Sequence, residues 1–403
     1  MRLDPKIPGP ETAQFEADLL RLVKGQERAV RRMVRVYEMW RAGIAGTGRP
    51  VANLLMLGPT GSGKTRLVEA MAEVLFGKPD AMVKVNCAEF QHSHEIAKLV
   101  GSPPGYLGHR ETTPAITQER LEKYFTEKIK LALVLFDEIE KANDALWQLL
   151  LGILDKATLT LGDNRTVDFS RSIVFLTSNL GSHEISKLLD GGIGFRKTGV
   201  DADEMDQKIY KVAKEATAKK FTPEFMNRID RLIVFRQLQR PHLQDILSIE
   251  LAKVQERIMA CASGRQFVFT CTDEARDFLL DEGTDAKFGA RHLKRALERH
   301  LVFPFSSLLA SGQIECGDSV SVGMEGGKPV FDCERGGALS TKAVSEPFKA
   351  MLPEAVRNKL ALADAVQAIQ AHDPAAQVHS AKSLAHDPDT CEFCKSRNRD
   401  KTK

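Results

Sequence analysis

Long apolar runs and a strong net charge are both missing from this chain of 403 residues. The longest apolar run, Leu131 to Phe136, is far too short to cross a bilayer. The formal charge is only +3, because 57 basic and 54 acidic residues nearly cancel, so no basic field argues for nucleic acid as the main partner. No apolar segment follows the first residues, so we expect no signal peptide. These absences predict a soluble, cytoplasmic protein that binds no membrane and for which nucleic acid is disfavoured as a partner.

Cysteine is scarce, and most of it is scattered. Five of the seven cysteines stand singly, which is typical of reduced thiols and not of a disulfide framework. Only Cys391 and Cys394 form a CxxC pair, and His386 or His379 could add further Zn²⁺ ligands. A closed zinc site normally needs two well-spaced pairs, so an unstructured tail is the alternative.

What the chain does contain is a complete phosphate-binding loop. It follows a short apolar segment, residues 54–57, and precedes a segment with helical apolar spacing, residues 65–76. Lys64 is expected to reach the β- and γ-phosphates of ATP, and Thr65 to hold Mg²⁺ through its hydroxyl. The dipole of the following helix also favours an anion. The loop consists of Gly58, Pro59, Thr60, Gly61, Ser62, Gly63, Lys64 and Thr65.

Three further polar residues follow apolar strands. Asp137 and Glu138 come directly after the predicted strand 132–136, and Asn179 comes just after the predicted strand 173–177. The carboxyl ends of parallel strands meet at a ligand crevice. We expect Asp137 to hold Mg²⁺, Glu138 to polarise the attacking water, and Asn179 to bind the γ-phosphate and that water. An acidic strand end and an ordinary turn asparagine are the alternatives.

Apolar segments and helical patterns alternate along most of the chain. Strands are predicted at 54–57, 81–85, 132–136, 173–177 and 232–235. This alternation predicts an α/β fold with a mainly parallel sheet covered by helices. Beyond residue 240 the pattern changes to a smaller α+β domain, whose helices we place at 241–260, 273–281 and 289–300. The predicted divisions are a polar lead-in at 1–20, an ATPase domain at 21–239, a small domain at 240–333 and a partly disordered tail at 334–403.

The order of these motifs resembles the Clp family of AAA+ protein unfoldases, specifically the second ATPase module of the two-ring members. The resemblance runs from about Leu22 to Val330. The residues that carry it are Val23–Gln26, the phosphate loop 58–65, Gly101–Gly108, Asp137–Ala142, Arg165–Phe169, Thr177–Gly181, Pro223–Asp230 and Phe288–Arg291.

The resemblance implies roles that the residues alone do not. Asn179 falls on the sensor 1 position and Arg291 on sensor 2, which contacts nucleotide from the small domain. Arg228 falls on the arginine finger, which reaches the ATP of a neighbouring subunit and so implies a homo-oligomeric ring, usually a hexamer. Val23 falls where the family packs adenine. One departure is His109–Thr113, which replaces a Glu-Gly-Gly run.

Two loops bear on substrates and partners. Tyr106, flanked by Gly105 and a nearby Gly108, resembles the family's pore loop, whose aromatic side chain grips an extended polypeptide. A buried tyrosine in a glycine turn is the alternative. Ile193, Gly194 and Phe195 resemble the loop that docks some members onto a Clp-type peptidase. A flexible surface loop is the alternative there.

We therefore predict an ATP- and Mg²⁺-dependent unfoldase that threads unfolded or tagged proteins through a ring, with no peptidase site of its own. Delivery to a Clp-type peptidase is the leading version, and disaggregation without one comes next. The alternative is a nucleotide-gated assembly or adaptor ATPase with little unfolding activity, a reading that the altered stretch 109–125 motivates.

Overall fold

A computed structural model describes residues 8–44, 46, 48–102, 114–182, 184, 202–261, 266–284 and 290–335. The described chain divides into two compact units. The first takes in the residues up to Ile246 together with Thr284–His292, and the second takes in Leu247–Gly283 and the residues from Leu293 onward. None of the described helices combines the length and the apolar character that crossing a bilayer requires.

The first unit is built on a five-stranded sheet in which every pairing is parallel. The strand order is β2-β3-β6-β1-β7, and β4 pairs with β5 in a separate antiparallel hairpin. The strands are β1 Ala52–Leu57, β2 Val83–Asn86, β3 Ala132–Asp137, β4 Thr158–Thr160, β5 Thr166–Asp168, β6 Ser172–Ser178 and β7 Arg231–Val234. The predicted parallel α/β architecture is confirmed.

Alternation along the central strands divides the interior into two cores. Leu55 and Leu57 of β1 join one apolar cluster, while Leu54 and Met56 join the other. All four side chains are fully buried, and burial of such a side chain contributes about 1.5–3 kcal/mol. Because both faces of the sheet are covered, its strands form continuous apolar runs in the sequence.

Helices pack on both faces of this sheet. Short 3₁₀ turns link several of them, at Cys87–Glu89, Ser93–Glu95 and Ile139–Lys141. The helices of the first unit are α1 Pro10–Leu22, α2 Glu27–Arg41, α3 Lys64–Phe76, α4 Ile96–Val100, α5 Gln118–Glu122, α6 Asp144–Lys156, α7 Ala202–Ala218 and α8 Pro223–Met226.

Helix α1 differs from the polar lead-in expected over residues 1–20. Proline at its first position tolerates helix geometry, and Thr12, Phe15 and Leu19 form a buried stripe on one side. Phe15 stacks on Tyr37 of α2 with ring centroids 4.1 Å apart. A narrow stripe of this kind is enough to fix a helix, although the segment as a whole is polar.

The second unit combines helices with a three-stranded sheet of order β10-β9-β8. Its elements are α9 Arg240–Met259, which begins in the first unit, β8 Val268–Cys271, α10 Asp273–Gly283, α11 Leu293–Leu297, α12 Phe303–Ala310, β9 Ser319–Glu325 and β10 Lys328–Glu334. The helix expected over 289–300 starts as a 3₁₀ turn, Ala290–His292, and continues to Ala310 through a π turn, Glu298–Val302. The smaller α+β domain is confirmed.

Candidate functional site: a phosphate-binding loop at the carboxyl end of the sheet

Strand order brings the predicted phosphate site together. Strands β3, β6 and β1 are adjacent and parallel, so their carboxyl ends lie side by side. The phosphate loop leaves β1 at Gly58, Asp137 ends β3, and Asn179 follows β6. Residues more than a hundred positions apart in the chain therefore share one crevice at the end of the sheet.

Glycine is required at two points of the loop backbone. Gly58 has φ of 150°, and a Cβ atom there would lie 2.7 Å from the carbonyl oxygen of Phe235. Gly63 has φ of 99° and stands directly before helix α3. Since glycine carries no side chain that could cap the helix, the first N–H groups of α3 remain available to an anion.

Lys64 is buried in the loop, with only 8% of its surface exposed. Its ammonium donates hydrogen bonds to the carbonyl oxygens of Gly58 (2.7 Å) and Pro59 (2.9 Å) and to Oδ1 of Asn179 (2.8 Å). Burial lowers the pKa of Lys64 to about 8; nearby carboxylates oppose this lowering, and the charge of Arg291 adds to it. The opposing carboxylates belong to Glu140, Asp137 and Glu138.

A threonine that sequence reasoning missed organises the two acidic residues. The hydroxyl of Thr177, fully buried in β6, donates to Oδ1 of Asp137 and accepts the backbone N–H of Glu138 at 2.9 Å. Lys84 on β2 lies 3.4 Å from the other oxygen of Asp137. The carboxylate of Asp137 is thus fixed from both neighbouring strands. The position of Thr177, one strand away from Asp137, could have been inferred only once the strand order was known.

Glu138 adopts the left-handed backbone conformation, with φ of 59°, which is uncommon for a residue other than glycine. Its carboxylate is paired with Lys141 at 2.6 Å, and 28% of the side chain is exposed. The carboxylate of the next acid, Glu140, accepts the backbone N–H of Asn179 at 3.2 Å. Asn179 is therefore held on one side by Glu140 and on the other by Lys64.

Gln26 is a second residue that sequence reasoning did not single out as part of the site. Its side chain is 4% exposed and donates to the carbonyl oxygens of Ser62 (3.0 Å) and Arg236 (2.8 Å). Its Oε1 accepts the N–H of Arg236 at 3.2 Å. Gln26 thus joins the phosphate loop to the segment that follows β7, and its place next to Gly25 was the only available signal.

Arg228 lies at the other end of the sheet. Its guanidinium contacts Glu224 at 3.1 Å and Asp155 at 3.5 Å, and its carbonyl accepts a hydrogen bond from Asn53 at the start of β1. Since a strand rises about 3.3 Å per residue, the five residues from Asn53 to Gly58 span about 16 Å. The structure therefore separates Arg228 from the phosphate loop of its own chain.

Val23 and Arg291, which are expected next to the adenine base and the phosphates, lie in different elements of the structure. Val23 is buried, 3% exposed, and ends helix α1 by donating its N–H to Leu19. Arg291 is exposed in the 3₁₀ turn Ala290–His292, which groups with the first unit. Its charge reaches Lys64 electrostatically.

Several predicted residues lie outside the described part of the chain. They are the pore-loop residue Tyr106, the docking residues Ile193, Gly194 and Phe195, and the zinc candidates Cys391 and Cys394. Within the described ranges, no group of three or more His, Cys, Asp and Glu side chains is arranged to hold a metal ion.

Family models match the two parts of the chain in order. An AAA domain model, described as the Cdc48 subfamily, matches residues 49–232. A model for the C-terminal, D2-small domain of ClpB protein matches residues 238–322. These matches follow the division between the parallel sheet and the smaller α+β part.

Curated relatives carry the same family signature. The chain is 36% identical over 319 residues to chaperone protein ClpB of Gloeobacter violaceus, covering 79% of this chain and 34% of the relative. It is 38% identical to the chloroplastic chaperone protein ClpC3 of Oryza sativa, covering 77% and 32%. It is 36% identical to the ATP-dependent Clp protease ATP-binding subunit ClpC of Staphylococcus aureus, covering 79% and 37%. The chain spans about a third of the length of these relatives.

Solved structures of Hsp104 share the fold. A closed-state cryo-EM reconstruction of Hsp104 with ATPγS and FITC casein matches with a TM-score of 0.64 and 28% identity, covering 81% of this chain and 53% of that one. An extended conformation of the S. cerevisiae Hsp104:casein complex matches with a TM-score of 0.66 and 28% identity, covering 82% and 53%. With the site geometry and the two ordered domain matches, these likenesses place the chain in the Clp family of AAA+ ATPases.

Proposed function

We propose that this chain hydrolyses ATP between the subunits of a ring and uses the energy to unfold polypeptides. The observation that carries the proposal is that Lys64 is bonded to Asn179 and that the adjacent strand holds the backbone of Glu138 at Thr177, while Arg228 lies at the far end of the same sheet. The first three residues supply binding and water activation. Arg228 supplies a positive charge that lies too far from the phosphate loop of its own chain to act there.

The roles in hydrolysis follow from the side-chain chemistry. Lys64 and the N–H groups at the start of α3 bind the phosphates. Glu138 accepts the proton of the attacking water once its carboxylate leaves Lys141, and Asn179 orients that water through its amide. Thr177 keeps Asp137 and the backbone of Glu138 in register, because one hydroxyl contacts both.

A hard cation suits the oxygen donors on this edge. The hydroxyl of Thr65 and the carboxylate of Asp137 would hold Mg²⁺, which prefers oxygen ligands, and Asp137 is already oriented by Thr177 and Lys84. The ion, when bound with ATP, neutralises charge on the phosphate oxygens. Arg291 adds a further positive charge near the same site.

Ring assembly follows from the position of Arg228. A guanidinium near the γ-phosphate strongly stabilises the charge of the transition state. Because Arg228 lies about 16 Å along β1 from its own loop, it serves the ATP of a neighbouring subunit. A homo-oligomer, most simply a hexamer, gives every site such a neighbour.

The relatives suggest the work that such a ring performs. The relatives are named as chaperones and as the ATP-binding subunit of a Clp protease, and the Hsp104 structures contain casein. By analogy, Tyr106 would grip an unfolded or tagged polypeptide in the pore. Ile193, Gly194 and Phe195 would dock a Clp-type peptidase.

The pore assignment is tested by comparing Tyr106→Ala with the conservative variant Tyr106→Phe. We expect Tyr106→Ala to lose unfolding of a tagged fluorescent reporter while ATP turnover continues, and Tyr106→Phe to keep both. Unchanged unfolding by Tyr106→Ala would remove the pore loop from the proposal. Turnover near background by the unmodified chain, with rings intact, would instead favour a nucleotide-gated assembly protein.

The peptidase assignment has its own test. Phe195→Ala should abolish co-purification of a Clp-type peptidase and leave unfolding unchanged, because an apolar plug contributes only to docking. Undiminished co-purification with Phe195→Ala would separate this loop from the peptidase.

A further inference from the structure

A cavity of about 510 Å³ lies in the first unit beside helix α2. Five arginines line it, accompanied by one acidic residue, Glu27, and by no lysine among the described residues. The exposed ring of Tyr210, 42% accessible, stands among the lining residues. We name this cavity the arginine cleft; its arginines are Arg28, Arg31, Arg32, Arg35 and Arg236.

Four of these arginines follow one another along a single helix face. Their spacing in α2 is i, i+3, i+4 and i+7, which places them in adjacent rows. Like charges at such spacing destabilise a helix by about 0.2–0.5 kcal/mol per pair. The opposite face of α2 is buried in the core, so the fold fixes which way the charged face points. The arrangement costs stability in the absence of a ligand.

The contacts of Arg31 and Arg32 within the chain leave both residues exposed to solvent. Arg32 donates to the carbonyl oxygen of Leu232 at 3.2 Å. Arg31 lies 3.8 Å from Glu16, with 69% of its side chain exposed. Arg32 and Arg35 are also exposed. The cleft therefore concentrates positive charge in a chain whose acids and bases otherwise nearly cancel.

We propose that the arginine cleft is an anion-binding site for a small ligand that carries consecutive phosphate groups. The volume falls within the range of small-molecule sites, about 300–1,000 Å³. A planar guanidinium group can donate two parallel hydrogen bonds to the oxygens of one phosphate, whereas a lysine ammonium acts as a point charge. This difference explains why the cleft contains arginine in place of lysine. Linked phosphates match such dense charge better than an acidic peptide, which carries a single charge on each acidic side chain.

The cleft is distinct from the ATP site but adjoins it. None of its described lining residues belongs to the loop 58–65. Gln26, however, lines the cleft and also donates to Ser62 of that loop. Arg236 contributes to the lining while its backbone is bonded to Gln26. A ligand in the cleft is thereby placed to influence the phosphate loop.

Binding is tested by calorimetric titration of inorganic tripolyphosphate into the full chain carrying Lys64→Ala, which removes the ammonium of the ATP site. We expect binding to persist, and the added pair Arg32→Gln and Arg35→Gln to weaken it at least tenfold. The matched control pair, Arg21→Gln and Arg171→Gln, removes the same charge from exposed positions outside the cleft and should change the Kd less than twofold.

Several outcomes would overturn the proposal. Loss of binding on Lys64→Ala alone would assign the phosphates to the ATP loop. Equal weakening by both arginine pairs would indicate unspecific charge attraction. Tighter binding of a glutamate-rich hexapeptide than of tripolyphosphate would identify an acidic peptide as the occupant.

Two further readouts support or refine the assignment. A nucleoside diphosphate titrated into the same variants separates a nucleotide from an inorganic oligophosphate, and arginine-dependent binding of either supports the shared chemistry. Without ligand, the Arg32→Gln and Arg35→Gln pair should keep or raise the Tm, since it relieves repulsion along α2. A lower Tm would show that contacts such as the hydrogen bond of Arg32 to Leu232 outweigh this repulsion, and would contradict the stability cost assigned to the empty cleft.

Discussion

The two ends of the central sheet contrast in what they can do alone. At the carboxyl end, Lys64, Asn179 and Glu140 are joined by direct hydrogen bonds within one chain. At the amino end, the guanidinium of Arg228 contacts the carboxylates of Glu224 and Asp155 and the carbonyl oxygen of Glu224. The first end carries the groups of the proposed nucleotide site, and the second holds the residue that we propose serves a neighbouring subunit.

This difference shows how a module can depend on its neighbours without losing its fold. Asn53 and Asp230 secure the amino end through buried and partly buried hydrogen bonds, so the fold of one chain fixes the position of the Arg228 backbone. In the proposed ring, phosphate oxygens bound by a neighbouring subunit would replace its two carboxylate contacts. Substitutions at the amino end of the sheet should therefore impair ATP hydrolysis in a neighbouring subunit. Substitutions at the carboxyl end should impair hydrolysis in the subunit that carries them.

The largest expected effect comes from Arg228→Ala. Removing an arginine finger should lower kcat for ATP hydrolysis by about 1000-fold, with nucleotide binding retained, as measured by steady-state turnover and by nucleotide titration. The neighbouring exposed residue provides the control, since Arg231→Ala should turn over ATP normally.

Mixing variants tests whether Arg228 acts between subunits. Rings assembled from Arg228→Ala and Glu138→Gln chains contain some interfaces with an intact Glu138 facing an intact Arg228, so turnover should partly return. If mixed rings remain as inactive as each parent, the two ends do not meet across an interface.

Glu138→Gln should follow, with turnover reduced about 100-fold or more, the contribution typical of a general base. The amide retains the shape of the side chain but cannot accept the proton of the attacking water, so ATP should bind and persist. Quenched-flow product analysis and retention of labelled ATP measure both effects. Glu127→Gln, at an exposed position, is the matched control, and normal turnover by Glu138→Gln would exclude this role.

Gln26→Ala should have an intermediate effect on ATP binding. The change removes the donor to Ser62 and both contacts to the backbone of Arg236, and loss of buried hydrogen bonds of this kind costs about 1–3 kcal/mol. We expect the KM for ATP to rise roughly tenfold with a smaller change in kcat. Gln14→Ala, at an exposed position, serves as the control, and an unchanged KM would show that the loop keeps its shape without Gln26.

The smallest expected effect is the uptake of a proton by Lys64 when nucleotide binds. Its pKa is lowered to about 8 in the folded chain, and bound phosphates restore the charged form, so nucleotide binding should take up a proton above pH 8. Calorimetry in buffers of different ionisation enthalpy should give about 0.1 proton at pH 7 and about 0.9 at pH 9. Lys64→Arg should take up none, because guanidinium stays charged.

The same pKa has a consequence for the protein without nucleotide. A lysine ionises near pH 10.4 in an unfolded chain, so between pH 8 and that value the unfolded state binds more protons than the folded state. The contribution of Lys64 to the free energy of unfolding should therefore rise with pH across this window. A contribution that falls with pH would contradict the lowered pKa.

Much of the first unit could be predicted from the sequence because its strands are buried on both faces. Runs such as Leu54–Leu57 are short, apolar and followed at once by glycine, which indicates a central strand, and strand ends then indicate where Asp137 and Asn179 meet. Helix α1 was missed because only one side of it is apolar. The helical stretch beyond residue 300 was missed because Pro304 indicates a helix end, whereas the π turn before it leaves room for the ring.

Other parts of the site could not be inferred from local patterns. Gln26 and Arg236 lie 210 positions apart, and no periodicity links them. Thr177 looks like one more β-branched strand residue until β3 and β6 are known to be neighbours. The arginines of α2 resemble an ordinary solvated face, and only the cavity beside them distinguishes them from one.

The hydrogen bonds of Lys64 also bear on selectivity. An ammonium has three donors, and all three are already engaged by oxygens of Gly58, Pro59 and Asn179. Any incoming molecule must therefore displace good partners one for one, which only a multiply charged oxygen cluster can do with a net gain. Without a ligand, oxygens of the chain itself occupy the donors of Lys64. Weak competitors such as single carboxylates should therefore not bind, and no moving segment is needed to exclude them.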